Sequence, residues 1–194
     1  MESGSALARA LQDYAPQSDD ETRDVERIRL LAAQGDPWNR STPLHATASA
    51  LVVHPDTARV LLRWHERMGS WLQVGGHGEA GETHPFDVAR REAREETGIP
   101  DLASWPDPAR PVLVHVAIVP VPPGHGEPAH EHADLRYLLA TGRPAEVMPE
   151  SRSAEVRWFS LDEARVAVGP PNTRETISRV GTILRRERGV ARLS

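Results

Sequence analysis

One short helix with a proline at its start and a glycine after its end limits the folds open to this chain. Pro85 suits the first helical position, where its missing N–H would find no partner, and His84 or Thr83 precedes it as the cap. Gly98 suits the left-handed position that follows a last helical turn. The sequence therefore predicts a helix over about residues 85 to 97.

Three carboxylates crowd the second half of this predicted helix. At about 100° per residue, Glu92, Glu95 and Glu96 fall within a fan of about 100°. Like charges at these spacings cost roughly 0.2 to 0.5 kcal/mol per pair, and the helix dipole is negative at this end. Two explanations fit. Arg91 and its arginine neighbours form an ordinary salt-bridged face, or a hard divalent cation binds the carboxylates.

Strand patterns surround the helix. Residues 44–54 and 58–65 form a predicted hairpin across "PDT", and "WLQV" leads into the glycines at 75 and 76. After the helix, "PVLVHVAIVPV" and "ADLRYLLAT" are two further strands with a loop over 122–132, and "EVRWF" runs into a helix capped at Ser160. The order predicts a mixed α/β sandwich with helices on both faces of the sheet.

The two ends of the chain read as helices. Ser18 and Glu21 predict a capping box in a helical segment that ends before residue 37, and residues 173–188 predict an amphipathic helix. A chain of 194 residues suits one core with additions. The predicted division is a helical extension over 1–43, a central domain over 44–168, and a C-terminal helix over 169–194 packed on that domain.

Composition excludes several classes of function. The net charge is −5 and no basic block forms a track, so a nucleic-acid polymer is not an expected partner. No apolar run approaches the length of a bilayer span, and no secretion signal opens the sequence, which makes the cytoplasm the expected compartment. Cysteine is absent, which excludes disulfides and thiolate metal ligands.

The full spacing around the helix resembles the signature of the Nudix hydrolase family. Gly76 is followed by Glu82 and then by the run Arg91–Ile99, "REAREETGI", in which each residue type of that signature is present. Eight residues instead of seven separate Glu82 from Arg91, so the geometry of the intervening loop and the role of Glu82 depart from the pattern. The resemblance covers about residues 44 to 168 and implies a Nudix-type α/β/α sandwich.

The resemblance implies hydrolysis of a diphosphate linkage in a nucleoside diphosphate derivative or triphosphate, with Mg²⁺ or Mn²⁺ as cofactor. It assigns metal binding to Glu92, Glu95, Glu96 and the Gly76 carbonyl. It makes Arg91 the residue that orients the glutamates, and Glu92 or Glu95 the candidate base. The alternative is a Nudix-fold module that binds or senses a nucleotide without cutting it.

Weaker signals add four candidates. Glu150 is either a distant acid that joins the metal site or a plain loop residue. Trp64 and Trp71 either stack on a nucleobase or close the edge of a core. His130 either contacts substrate or pairs with His132 as a His-x-His zinc or phosphate site in a loop that also holds His125. The terminal helices leave a homodimer open, and the expected partner is a small phosphoanhydride.

Overall fold

A computed structural model describes residues 2–124, 126–151 and 154–191. The helices are α1 (Glu2–Ala10), α2 (Asp19–Ala33), α3 (Pro85–Thr97), α4 (Leu161–Ala167) and α5 (Pro171–Ala191). The strands are β1 (Leu44–His54), β2 (Arg59–His65), β3 (Ser70–Leu72), β4 (Val74–His77), β5 (Ala103–Ser104), β6 (Leu113–Val121), β7 (His130–Ala140) and β8 (Val156–Ser160). No helix within these ranges is long and apolar enough to cross a membrane.

Strand β1 is the centre of a mixed eight-stranded sheet. It pairs in parallel with β7 and antiparallel with β2 and β4. Its side chains alternate between two cores, as the period of a strand requires: Ala48 and Val52 face one cluster, while Leu51 and Val53 face the other. The predicted α/β sandwich with a mixed sheet is therefore confirmed.

Helices cover both faces of the sheet. The first cluster joins α3 to the N-terminal helices α1 and α2, through residues such as Leu7, Ile28 and Ala93. The second joins α4 and α5, through residues such as Ala164 and Ile177. Both terminal segments are thus part of the packed structure.

Several element boundaries differ from the sequence-based prediction, most clearly before the acidic helix, at β7 and at α5. The single strand predicted for "WLQV" is two strands, because the chain leaves β2 at Leu72 and joins β1 at Val74. Strand β7 begins at His130, inside the predicted loop 122–132. Helix α5 begins at Pro171 instead of residue 173, since proline is tolerated in a first helical turn.

Only one of the two hydrogen bonds of the predicted capping box forms at the start of α2. The Ser18 hydroxyl accepts a hydrogen bond from the Glu21 N–H at 3.2 Å, but the Glu21 carboxylate points inward. It accepts both terminal guanidinium N–H groups of Arg179 at 2.8 and 2.9 Å, and the backbone N–H groups of Gln17 and Val116. A buried tertiary network that joins α2, β6 and α5 has displaced the local motif.

Candidate active site

The N-terminal glycines of the box lie where α3 crosses the sheet. Antiparallel pairing places Gly76 opposite Ala48 and Gly75 opposite Ser49. A Cβ atom on Gly76 would lie 2.6 Å from the Glu92 carboxylate, so any larger residue would push that side chain away. The glycine therefore lets the Glu92 carboxylate rest directly on the strand backbone.

Arg91 holds the acidic side chains of α3 together. Its Nε and Nη2 both donate to Glu82 at 2.9 Å. Its Nη1 donates to Glu92 at 3.0 Å and to Glu95 at 2.8 Å, and Nη2 also donates to the carbonyl of His77 at 2.9 Å. The hydrogen bonds from Arg91 lower the pKa of Glu82. With eight residues between Glu82 and Arg91, the Glu82 carboxylate thus still accepts hydrogen bonds from Arg91.

Glu96 is the most buried of the three glutamates on this face. It accepts the Gly75 N–H at 2.9 Å and lies 3.2 Å from Nη1 of Arg63. Burial raises the pKa of Glu96 to about 7, although Arg63 and the Gly75 N–H oppose the shift. Burial also raises the pKa of Glu92, against the pull of Arg91. Ionisation of either carboxylate therefore costs free energy.

Arg63 is a site residue that sequence reasoning missed. It lies on β2, and its Nη2 is 3.7 Å from the Glu150 carboxylate. Glu150 is thereby brought beside Glu96 through a shared arginine, although its side chain is 59% exposed. An arginine inside the apolar run "VLLRWH" was the one available signal, because an isolated charge in a half-buried strand needs a partner.

Comparison with known families identifies the fold. A model of the NUDIX domain matches residues 43–180. This chain belongs to the Nudix family. The matched range of the Nudix domain ends inside α5, beyond residue 168.

Solved hydrolase structures resemble the chain over most of their length. The Nudix hydrolase RenU from M. smegmatis is 24% identical, with 72% of this chain and 84% of that chain covered and a TM-score of 0.51. A Nudix family hydrolase from Clostridium perfringens is 27% identical, with 72% and 95% covered and a TM-score of 0.50. An Ap4A hydrolase from C. elegans is 17% identical, with 72% and 97% covered and a TM-score of 0.54. Comparison with curated proteins gave no significant match.

The acidic cluster of this Nudix domain fits a hard divalent cation. Its candidate ligands are the carboxylate oxygens of Glu92, Glu95 and Glu96, and oxygen ligands are those that Mg²⁺ and Mn²⁺ prefer. Arg91 and Arg63 offset part of the negative charge, yet burial still opposes ionisation of Glu92 and Glu96. A cation at this position would remove that penalty.

A cavity of about 280 Å³ lies beside the glycines, between β4 and the start of α5. Its floor is polar. Asp134 there accepts hydrogen bonds from Ser49 at 3.0 Å, Gln73 at 3.3 Å and Arg136 at 2.8 Å. Gly76 and His132 also line it. The cavity is adjacent to the acidic cluster and can hold part of a polar substrate.

The three residues predicted to contact substrate, Trp64, Trp71 and His130, do not form one group. Trp64 and Trp71 pack edge to face with centroids 5.7 Å apart, and Trp71 packs on Phe159 at 5.0 Å. Neither tryptophan is among the described residues that line the cavity, and stacking on a base stays a prediction. His130 lies on β7 with His132, so the two imidazoles share one strand face. His125 lies outside the described residues.

Proposed function

We propose that this chain is a divalent-metal-dependent hydrolase that cleaves a diphosphate linkage in a nucleoside diphosphate derivative or a nucleoside triphosphate. One observation carries the proposal. Glu92 and Glu96 converge on the backbone of Gly75 and Gly76 beside a cavity with a polar floor, although burial penalises both charges. A salt bridge to arginine needs only one carboxylate, so it does not explain why two carboxylates lie in a place where burial opposes their charge.

The residues divide into ligands and supports. Glu92, Glu95, Glu96 and the Gly76 carbonyl would hold Mg²⁺ or Mn²⁺, with Glu150 able to approach through Arg63. When bound, the cation supplies positive charge for the phosphate oxygens and makes water more acidic. Arg91 is a positioning residue, because it fixes Glu92, Glu95 and the loop at Glu82 at once.

Proton transfer is the step that the chain's own side chains perform. Water that attacks phosphorus must lose a proton, and a carboxylate within hydrogen-bonding distance can accept it. Glu92 and Glu95 are the candidates, with Arg91 restricting the position of both. The cavity would hold the nucleoside.

The retained glutamates also weigh against a binding module that does not cut its ligand. Such a module needs no cluster of carboxylates, and here all three are present on α3. Binding of a nucleotide without its hydrolysis in the presence of Mg²⁺ would nevertheless favour that alternative.

A substrate panel tests the proposal. Purified protein with Mg²⁺ is assayed for product release from nucleoside triphosphates, dinucleoside polyphosphates, nucleotide sugars and ADP-ribose, with EDTA as the metal-free control. We expect Glu96→Gln to abolish the activity with an unchanged far-UV circular dichroism spectrum. Glu26→Gln, on the exposed side of α2, is the matched control and retains full activity. Full Mg²⁺-dependent activity in Glu96→Gln would refute the assignment.

A further inference from the structure

Four histidines from three neighbouring strands meet outside the acidic cluster. Parallel pairing of β1 with β7 sets His45 opposite His132, and antiparallel pairing of β1 with β4 sets His77 opposite Thr47. His130 lies two residues before His132 and therefore on the same face of β7. His45, His77 and the His130–His132 pair are far apart in sequence, so pairing of the strands brings them together.

The Nε2 atoms of the four rings form a continuous chain of close contacts. His45 Nε2 lies 3.1 Å from His77 Nε2, which lies 3.2 Å from His132 Nε2. His132 Nε2 lies 3.1 Å from His130 Nε2. Suitable ligand atoms of His45, His77 and His132 all lie within 4.8 Å of one another.

Backbone carbonyls fix the tautomers at both ends of this chain. His45 Nδ1 lies 3.0 Å from the Thr42 carbonyl, and His130 Nδ1 lies 2.9 Å from the Pro128 carbonyl. A carbonyl only accepts hydrogen bonds, so each Nδ1 carries a proton and donates it. In a neutral imidazole the other nitrogen is then a bare lone pair, and in both residues that nitrogen points at the cluster.

Hydrogen bonds alone cannot satisfy the contacts that remain. Each ring nitrogen offers one lone pair or one N–H in the ring plane, and hence one good hydrogen bond. With His45 and His130 accepting at the ends, His77 and His132 must both donate outward. Their own contact at 3.2 Å then sets one N–H against another. Any other arrangement of protons among four neutral rings leaves two lone pairs facing each other.

A single metal ion removes this conflict. Zinc binds histidine nitrogen at about 2.0 to 2.1 Å, so two ligands of a tetrahedral site lie roughly 3.3 Å apart. The Nε2 separations of 3.1 and 3.2 Å are close to that edge length. Donation of the second ring N–H to a backbone carbonyl is also the usual support of a metal-bound histidine.

We propose that His45, His77 and His132 bind a transition-metal dication, with Zn²⁺ as the ion. A cluster made of imidazoles alone favours zinc over the hard cation of the glutamate cluster. The zinc site adjoins the cavity through His77 and His132. The His77 carbonyl also accepts a hydrogen bond from Arg91, so the ion would stabilise β4 next to the acidic cluster.

Metal uptake tests this site independently of hydrolysis. The full chain, free of any histidine tag and treated with chelator, is titrated with Zn²⁺ by isothermal calorimetry in excess Mg²⁺, which occupies the glutamates. We expect one Zn²⁺ per chain. His132→Ala should weaken binding roughly 100-fold or more, because loss of a supporting residue alone already costs roughly 10- to 100-fold.

Two matched variants separate the candidate metal sites. His54→Ala, at the end of β1 and outside the cluster, should bind Zn²⁺ like the wild type. Glu96→Gln should also keep the zinc while it loses any hydrolysis. Zinc binding that is absent from the wild type, unchanged in His132→Ala or lost in Glu96→Gln overturns the proposal.

X-ray absorption of the zinc-loaded wild type decides the matter even if His132→Ala fails to fold. We expect a first shell of nitrogen at about 2.0 to 2.1 Å with the multiple scattering of imidazole rings. A first shell without imidazole would overturn the assignment. The spectrum does not depend on the proposed enzymatic activity, so the two proposals can fail separately.

Discussion

Replacing Arg179 with methionine is expected to destabilise the protein strongly. Arg179 is 8% exposed and Glu21 is 3% exposed, and two guanidinium N–H groups reach the carboxylate at 2.8 and 2.9 Å. Methionine fills similar space but leaves the Glu21 charge buried without its cation. Removal of one partner from a buried ion pair costs about 3 to 5 kcal/mol.

The expected loss is large enough to measure in two ways. In a chain of this size each 1 kcal/mol shifts the melting temperature by roughly 2 to 4 °C, so Arg179→Met should lower it by roughly 6 to 20 °C. Urea denaturation followed by circular dichroism gives the free energy of unfolding directly. Asp162→Ala is the control, because its ion pair with Arg165 is exposed and should cost less than about 1 kcal/mol.

A double variant isolates the pair itself. Glu21→Gln combined with Arg179→Met removes both charges and should recover more than half of the loss, since no buried charge is left unpaired. Two results would refute the reasoning: a loss below about 1 kcal/mol in Arg179→Met, or no recovery in the double variant. Either would mean that the attachment of α2 to α5 rests on apolar packing alone.

Three further perturbations address the site and the network. Gly76→Ala should reduce Mg²⁺-dependent hydrolysis by about 100-fold with little change in melting temperature, because the added Cβ displaces the Glu92 carboxylate. Arg91→Lys should lower kcat by roughly 10- to 100-fold with an unchanged circular dichroism spectrum, since lysine cannot contact Glu82 and the helix glutamates together. Burial opposes ionisation of Glu21, but its hydrogen bonds outweigh burial and lower the pKa to about 2. The ionised Glu21 therefore adds to the free energy of unfolding above about pH 4.5, and this contribution is lost as the pH falls towards 2. In Arg179→Met the buried Glu21 charge is unpaired, so its protonation should raise the urea midpoint on acidification.

The parts of the structure that the sequence predicted are those set by local rules. Helix α3 begins at Pro85 and has Gly98 in the left-handed conformation, with φ of 68°, as the two residues predicted. The Ser160–Glu163 capping box also forms in full. In both cases residues close in sequence complete the motif: the Gly98 N–H donates to the Arg94 carbonyl, and Ser160 and Glu163 each accept the other's backbone N–H.

The parts that the sequence did not predict depend on contacts between distant residues. Glu21 is available for a capping box, yet Arg179, 158 positions away, offers it a stronger partner. His45 has no motif of its own, and only the pairing of β1 with β4 and β7 reveals its neighbours. Arg63 joins Glu96 for the same reason. Single-sequence patterns carry no information on which charged groups the sheet will bring together.

Buried polar contacts make the terminal helices part of the site's support. Beside the Glu21–Arg179 pair, Thr176 of α5 contacts His115 at 2.9 Å and accepts a hydrogen bond from Arg136 at 3.0 Å. Arg136 in turn holds Asp134 on the cavity floor at 2.8 Å. His115 and Arg136 are buried, and Thr176 of α5 is a hydrogen-bond partner of both in the folded protein. The shape of the cavity therefore depends on residues beyond the acidic helix and its signature.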